Sequence, residues 1–485
     1  MRVLFLTSLQ DALPPPFKPL RLNGHIQLGL SYISALLRQH GHQTDLMVLT
    51  RDTPRAAIER EIARFRPTVV GFSSMTSEFT FMRETAAHLK RRFPELFLIV
   101  GGIHVTLNPH EDYLTDFNAL CVGEGEYPML ELVQCLERGE APVGIDNLWV
   151  RWNGTLHKNP PRSFVQNLDA LPFPDRSLWT RWIRRADETP HTVMLCRGCP
   201  FECTYCFHHK MRDTAPGTYV RHRSPANILA EVEPLAEQSS ANAFFFEGET
   251  FNVRMPWVLE LCEALTEFNA RRKHPCSFGV NVRPMRNDQA ETLFAAMARA
   301  GFRYVNLGVE SGSERVRREV LHRYYTNDDV IYWVQTARKH KLKVAFLNLI
   351  GVPGETYEDF RQTIKLNRAC QPDWQYHNIF EPFPGVDLHE VCKTQNLLPE
   401  VPDDEMIRAK AILDLPGFST KEIQRAFDWF NYDVYKGYRP RSLLLLTVAA
   451  AKCKSNYKLN RAFRIARELP MSIWIRRAWD EFQRY

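Results

Sequence analysis

Residues 194–207 have the sequence MLCRGCPFECTYCF, and this short stretch holds four of the eleven cysteines in the chain. The other seven are scattered among apolar residues, which is typical of small buried side chains and not of a disulfide framework. Because thiolates are good metal ligands, four thiols gathered in one loop indicate a metal site.

The cysteine spacing is compatible with three kinds of metal site. Zinc held by four thiolates is disfavoured, because only three residues separate the pair Cys196/Cys199 from the pair Cys203/Cys206, far fewer than the usual ~12. An electron-transfer cluster on the same four thiolates would not need the large domain that follows. A site that uses only Cys199, Cys203 and Cys206 leaves an open metal position, as catalytic sites do. The residues favour this third arrangement.

Strands and helices alternate over the first ~140 residues, which predicts a parallel, doubly wound, Rossmann-like sheet. Ligands of such sheets bind at the carboxyl ends of the strands. Three of these ends carry small or hydrogen-bonding residues, namely Ser73-Ser74, Gly101-Gly102 and Gly123-Glu124-Gly125. One such loop could reflect turn geometry alone, but three on one edge favour a ligand site.

A second series of strands and helices begins at Val193, and its six units of about 30 residues predict a partial (β/α)6 TIM-type barrel. Between the two series, Asn153-Gly154 predicts a hairpin, and a proline-rich stretch predicts an extended linker that is not part of a core. The predicted fold class is therefore α/β. Its predicted parts are a domain at 1–145, a linker at 146–186, the barrel at 187–390 and a mainly helical, basic region at 391–485.

Composition narrows the class of protein further. The chain has 485 residues and a net charge of +6, and no apolar run approaches the ~20 residues that span a bilayer, so we expect a cytoplasmic protein. From Lys436 to the end, twelve Lys/Arg face three acidic residues, whereas the preceding part is slightly acidic and does not favour nucleic acid. Trp474, Ile475 and Trp479 alternate with Arg476 and Arg477 in this basic region. Such a pattern fits a solvated face, or peripheral contact with an anionic membrane or a phosphorylated, lipid-linked substrate.

The cysteine loop resembles that of the radical S-adenosylmethionine (radical SAM) enzymes, and the resemblance continues beyond it. Arg197-Gly198-Cys199-Pro200-Phe201 leads into the motif as in the family, and Tyr205 places an aromatic residue before the third cysteine. The resemblance implies a 4Fe–4S cluster on Cys199, Cys203 and Cys206. It also implies contacts to S-adenosylmethionine (SAM) from Tyr205 in the cysteine loop and from the later strand ends, namely from Glu247, Glu249, Arg283, Glu310 and Gly351.

The N-terminal half resembles the cobalamin-binding domain that precedes the barrel in one large branch of this family. The resemblance implies cobalamin contacts from Ser73, Ser74, Gly101, Gly102, His104, Gly123 and Glu124. The Asp-x-His-x-x-Gly signature that supplies a histidine to cobalt is absent, so we expect cobalamin bound without a histidine ligand. A domain that has lost cobalamin remains the alternative.

The resemblance implies a specific reaction. Reductive cleavage of SAM gives a 5′-deoxyadenosyl radical, which takes a hydrogen atom from an unactivated carbon, and methylcobalamin then supplies a methyl group. The substrate would be a small or lipid-linked molecule, and an external reductant of the flavodoxin or ferredoxin type would supply the electron.

Other functions compete with methyl transfer. Cyclisation, oxidation or rearrangement with the same cofactors shares these motifs, and a cobalamin- or cluster-sensing module is the non-enzymatic alternative. A methylthiotransferase acting on RNA would need a further cysteine trio upstream, where only Cys121 and Cys135 occur. The sequence does not identify a general acid or base.

Overall fold

The computed structural model describes residues 1–9, 18–20, 26–184, 189–238, 242–285, 289–399 and 408–466. The chain divides into two compact units. Unit 1 comprises Met1–Pro200, Phe207–Asn227 and Glu237–Ala241, and unit 2 comprises Phe201–Cys206, Ile228–Ala236 and Asn242–Tyr485. Each unit contains hydrophobic core clusters of its own.

Unit 1 is built on a seven-stranded sheet. Its main elements are β1 (Arg2–Ser8), α1 (Leu28–Gln39), β2 (Gln43–Leu49), α2 (Arg55–Phe65), β3 (Val69–Ser73), α3 (Thr76–Arg92), β4 (Phe97–Gly101), α4 (Ile103–Leu107), β5 (Ala119–Cys121), α5 (Glu126–Glu137), β6 (Leu148–Trp152) and β7 (Thr155–Lys158). The strand order is β2-β1-β3-β4-β5-β6-β7, with β1 to β5 parallel and β6 and β7 antiparallel. The predicted doubly wound sheet is confirmed.

Both faces of this sheet are covered, which explains why the central residues of its parallel strands are apolar on both sides. In β1, Val3 and Phe5 belong to one core cluster, whereas Leu4 and Leu6 belong to another. Neighbouring strands alternate in the same way, because successive side chains of a strand point to opposite faces. Burial on both faces leaves the ends of the strands as the place where a ligand can reach unit 1.

The segment predicted as a linker contributes more to unit 1 than expected. The predicted hairpin is confirmed, since Asn153 and Gly154 adopt positive φ angles of 48° and 79° between antiparallel β6 and β7. The expectation that this segment adds nothing to the core is wrong, because Trp179 is fully buried and donates a hydrogen bond of 2.7 Å to Ser31 Oγ. The remaining elements that begin in unit 1 are β8 (His191–Met194), β9 (Cys196–Arg197), α6 (His208–Arg212), β10 (Arg221–His222) and α7 (Pro225–Gln238).

Unit 2 is a series of parallel strands separated by helices. Its elements are β11 (Ala243–Glu247), α8 (Met255–Ala270), β12 (Ser277–Val282), α9 (Gln289–Ala300), β13 (Phe302–Glu310), α10 (Asn327–Lys339), β14 (Lys343–Ile350), α11 (Tyr357–Cys370), β15 (Trp374–Ile379), α12 (Asp387–Thr394), α13 (Thr420–Tyr435), α14 (Arg441–Lys454) and α15 (Tyr457–Ala466). Its strands pair in the order β11-β12-β13-β14-β15. The predicted α/β class, with a parallel sheet followed by a helical C-terminal region, is confirmed.

Helix α13 joins the C-terminal region to the sheet of unit 2. His377 on β15 lies between the rings of Phe427 and Phe430, with centroids 4.8 and 4.7 Å away, and its Nε2 bonds the Phe427 carbonyl at 3.0 Å. Burial lowers the pKa of His377 to about 3, so the ring is neutral and packs as an apolar side chain. Residues on both sides of position 390 share this core, since Leu388 and Cys392 belong to the same cluster as Phe427 and Phe430.

Two expectations for the C-terminal part concern the membrane. The residues around Trp474 and Trp479 lie outside the described part of the chain. Where helices are described, none has the length and hydropathy needed to cross a bilayer.

Candidate functional site

A cavity of about 260 Å³ opens in unit 1 at the carboxyl edge of its parallel strands. Five of the seven residues predicted to contact cobalamin line it: Ser73, Gly101, Gly102, Gly123 and Glu124. Its walls also include apolar side chains such as Ile33, Met129 and Met194. Mostly apolar cavities with a few polar groups are typical of ligand sites, and this cavity lies at the strand ends, where parallel sheets bind their ligands.

Two glycines shape the rim of this cavity. Gly102 has a φ of 106°, and a Cβ atom there would lie 2.7 Å from the Ser74 carbonyl oxygen. Gly123 has a φ of 110°, with Asn147 Nδ2 3.2 Å from its would-be Cβ. Both positions therefore exclude larger residues, because of backbone conformation and of space. Ser74 contributes its backbone beside Gly102 but is not among the described residues that line the cavity.

His104, the other predicted cobalamin contact, is engaged elsewhere in unit 1. Its ring stacks on Phe79 with centroids 4.1 Å apart, and its nitrogens lie 3.2 Å from Thr76 Oγ1 and 3.3 Å from the Tyr113 hydroxyl. Burial lowers the pKa of His104 to about 4, so the imidazole is neutral near pH 7. His104 is not among the described cavity-lining residues, and its contact with cobalamin stays a prediction.

A buried ion network lies beside the cavity and was not anticipated from the sequence. Arg197, from the stretch before the cluster motif, donates to Glu124 at 3.0 Å and to Glu126 at 2.5 Å. Arg221 donates to Glu124 at 3.0 Å, and the Val165 N–H donates to the same carboxylate at 2.7 Å. Burial opposes the charge on Glu124, but the two guanidinium groups hold its pKa below the ordinary value. Glu124 is therefore an anion fixed in place.

The cysteine loop spans both units, with Cys199 in unit 1 and Cys203 and Cys206 in unit 2. None of the three forms a disulfide bond, as the hypothesis of a cluster requires. Gly198 has a φ of 88°, and a Cβ atom there would lie 2.2 Å from the Tyr219 carbonyl oxygen, so only glycine fits before Cys199. In the described residues, no group of three or more His, Cys, Asp or Glu side chains stands at metal-binding separations. The assignment of these three ligands therefore stays a prediction.

Two buried arginines of unit 2 surround Cys203. Arg283, at the end of β12, donates to Cys203 Sγ at 3.0 Å, and its guanidinium lies 3.8 Å from the Phe201 ring centroid. Arg323 donates to the Tyr205 hydroxyl at 2.7 Å and also to the Gly308 carbonyl. Arg283 was predicted from its position, but Arg323 was missed because it lies in the loop after β13, outside any motif that we recognised.

Three of the other predicted SAM contacts can be placed in unit 2. Glu310 ends β13 with a φ of 65°, and its carboxylate lies 3.5 Å from Arg323 Nη1. Glu247 ends β11 and is solvent-accessible, as is Glu249. The protein atoms around Glu247 and the adjacent charge of Glu249 raise the pKa of Glu247. A carboxyl group that does not ionise readily on its own is well suited to pair with an ammonium group, because a nearby positive charge favours the ionised form.

Gly351 opens a tight turn between β14 and α11. Its φ is 78°, and its N–H donates to the Glu355 carboxyl group at 2.6 Å. Thr356 and Asp359 then form a capping box that starts α11. Burial raises the pKa of Glu355 to about 8, although backbone N–H groups oppose the rise. Glu355 is thus a neutral acid that closes the turn.

We expect Glu355→Gln to make unfolding less dependent on pH. The unfolded pKa of Glu is about 4.3, so the stability that the protonated carboxyl contributes is complete below about pH 4 and is lost as pH rises toward 8. Gln keeps the neutral shape, so the variant should gain at least about 1 kcal/mol relative to wild type between pH 6 and pH 8.5. Urea unfolding at the two pH values measures the difference. An equal effect at both values would contradict the assignment.

We expect Gly102→Ala to weaken corrinoid retention and to cost about 1–3 kcal/mol of stability. The added Cβ would press on the Ser74 backbone at the cavity rim. Gly144→Ala is the matched control, because Gly144 has a φ of 84° but no atom within 4 Å of its would-be Cβ. Bound corrinoid per protein and the melting temperature should both fall further for Gly102→Ala. Equal behaviour of the two variants would exclude the clash as the cause.

Comparison with known proteins agrees with this architecture. The B12 binding domain family model matches residues 22–133, and the Radical SAM superfamily model matches residues 193–366. An uncharacterized methyltransferase of Pyrococcus horikoshii is 28% identical, covering 82% of this chain and 85% of that protein. The anaerobic magnesium-protoporphyrin IX monomethyl ester cyclase of Rubrivivax gelatinosus is 24% identical, covering 74% and 65%.

A similar fold occurs in a solved structure. The radical SAM methyltransferase TsrM of Kitasatospora setae, with tryptophan and a SAM analogue bound, has a TM-score of 0.63 at 19% identity. The similarity covers 83% of this chain and 78% of that one. Fold and motifs together define a class of enzyme in which a cobalamin-binding domain precedes a radical SAM domain. The chain belongs to these cobalamin-dependent radical SAM enzymes. The predicted cofactors, a 4Fe–4S cluster, SAM and cobalamin, are those of this family.

Proposed function

We propose that this enzyme transfers a methyl group to an unactivated carbon of a small-molecule substrate, using SAM, a 4Fe–4S cluster and cobalamin. The observation that carries the proposal is the presence in one chain of two sites. Unit 1 has a glycine-rimmed cavity at its strand ends, and unit 2 has an arginine-supported thiol, Cys203, beside a row of polar strand ends. The similarity to a methyltransferase over most of both chains supports this choice.

The residues fit the proposed cofactors in chemical kind. Cys199, Cys203 and Cys206 would hold the cluster, which supplies the electron that cleaves SAM, while cobalamin supplies the transferable methyl group. Glu247 and Glu249 would meet the ammonium group of SAM, and the Gly351 turn would approach its adenine. In unit 1, Gly102 and Gly123 would let backbone atoms come close to the corrinoid. For the whole chain, we propose the boundaries 1–145, 146–186, 187–390 and 391–485.

The proposal is tested by anaerobic reconstitution with iron, sulfide and hydroxocobalamin, followed by reduction in the presence of SAM. We expect one corrinoid per chain and formation of 5′-deoxyadenosine. With a substrate, one S-adenosylhomocysteine and one deoxyadenosine should form per methylated product. Deoxyadenosine without loss of the SAM methyl group would instead indicate cyclisation or rearrangement. Retention of cofactors without any SAM cleavage would indicate a sensing module.

The electron donor is proposed on chemical grounds. Cleavage of SAM needs one electron at a time, so we propose an external reductant of the flavodoxin or ferredoxin type. Reduced flavodoxin should replace dithionite in the deoxyadenosine assay. If neither flavodoxin nor ferredoxin supports deoxyadenosine formation while dithionite does, this choice of partner is contradicted.

We also propose that α14 and α15 contact an anionic membrane surface or a lipid-linked substrate. Residues 441–466 contain six Lys/Arg and no Asp or Glu, and Leu445, Leu446 and Leu459 are exposed there. Exposed leucines beside cations are typical of interfacial helices. The protein should co-sediment with vesicles rich in phosphatidylglycerol but not with phosphatidylcholine vesicles. Leu445→Ser with Leu446→Ser should weaken binding, and equal sedimentation with both lipids would contradict electrostatic attraction.

A further inference from the structure

We infer that Arg283 sets the reduction potential of the cluster through its hydrogen bond to the Cys203 sulfur. This inference rests on the proposed function, because it requires Cys203 to be a cluster ligand. It assigns to Arg283 a role different from the SAM contact expected from the sequence. Arg283 would act through Cys203 and not on SAM itself.

The geometry of Arg283 is fixed from three sides within unit 2. Its Nη1 lies 3.0 Å from Cys203 Sγ, well inside hydrogen-bond distance for sulfur. Asn252 bonds the Arg283 backbone twice, donating to the carbonyl at 2.9 Å and accepting from the N–H at 3.0 Å. Below the guanidinium, the Phe201 ring provides a cation–π contact at 3.8 Å. A side chain held in this way keeps its donor directed at one sulfur.

The environment makes this hydrogen bond effective. Arg283 and Cys203 are only 8% and 6% exposed, so water screens their interaction weakly. Arg323 lies 4.0 Å from the same sulfur. Its closer hydrogen bonds go to the Tyr205 hydroxyl and the Gly308 carbonyl. Arg283 is therefore the nearer of the two cations to Cys203.

The direction of the effect follows from charge. Reduction adds one electron to the cluster, so a cation and an N–H donor at a ligating sulfur stabilise the reduced form more than the oxidised form. Hydrogen bonds to the sulfurs are among the factors that set iron–sulfur potentials. Removal of the Arg283 donor should therefore shift the midpoint potential to a more negative value and make the cluster harder to reduce.

The test compares wild type, Arg283→Met, Arg283→Lys and Phe201→Leu after anaerobic reconstitution. Potentiometric titration monitored by electron paramagnetic resonance, without SAM, measures the midpoint potential. We expect a clear negative shift for Arg283→Met and a smaller one for Arg283→Lys, which keeps the charge. Phe201→Leu leaves Arg283 intact but removes its ring support, so a small negative shift is expected even if Arg283→Met fails to fold. Arg361→Gln, an exposed arginine of α11, should leave the potential unchanged.

Iron and sulfide content and the SAM dissociation constant separate the possible failures. Unchanged potentials in the variants, with full clusters and weaker SAM binding, would overturn the inference and return Arg283 to a SAM contact. A wild-type protein that assembles no cluster would refute the proposed function itself, before Arg283 is tested. A negative shift of the midpoint potential in Arg283→Met, with unaltered iron content and SAM affinity, would support the role of Arg283 in setting the potential.

Discussion

Arg197→Met is expected to lower the free energy of unfolding by about 3–5 kcal/mol, because it removes the cation shared by the buried carboxylate of Glu126 and the half-buried carboxylate of Glu124. For a unit of this size, the loss corresponds to a fall of roughly 10 °C in melting temperature. Urea unfolding followed by circular dichroism measures the change.

Arg361→Met provides the matched control, since Arg361 pairs with Glu358 on the surface and both side chains are about two-thirds exposed. Its loss should cost less than about 1 kcal/mol. The double variant Arg197→Met with Glu126→Gln should recover part of the stability, because it removes the buried negative charge of Glu126, whereas Glu124 keeps its hydrogen bond from Arg221. Equal effects of Arg197→Met and Arg361→Met would refute a buried network.

Cys203→Ala is expected to abolish cluster assembly and to reduce deoxyadenosine formation to the level without protein. Two thiolates cannot hold the cluster in place of three, and Arg283 would lose the sulfur to which it donates. Absorbance near 400 nm, iron content and deoxyadenosine after reduction measure the loss.

Cys196→Ala is the matched control for Cys203→Ala, because Cys196 is a buried cysteine of the same stretch that lies outside the proposed ligand set. It should retain the cluster and the cleavage of SAM. Loss of iron in both variants would instead favour a site with four thiolates, and retention in both would exclude Cys203 as a ligand.

Sequence patterns could group residues correctly where chain connectivity alone determines their position. The carboxyl ends of parallel strands must share an edge, so Ser73, Gly101 and Gly123 could be grouped before their coordinates were known. The cysteine motif is likewise local. Both predictions needed only the order of strands and helices.

Partners that are distant along the chain could not be predicted in this way. Arg197 and Glu124 are separated by 73 positions, and Arg323 and Tyr205 by 118. The chain has 62 Lys/Arg, and nothing in the pattern selects which of them is buried against which acid. The linker was misjudged for a similar reason, since Trp179 packs in a core and donates a hydrogen bond to Ser31, both made with residues far away in the sequence.

The packing of His377 between Phe427 and Phe430 has a consequence for protein engineering. A chimera that replaces everything after residue 390 with the C-terminal region of a relative would strip α13 from β15 and expose the apolar surface that it covers. The safer junction lies at Lys436–Pro440, after α13 has ended. Because Leu444 and Ala451 of α14 belong to the same core cluster, an exchanged segment must keep apolar side chains at these two positions, whereas the exposed positions of α14 can be varied freely.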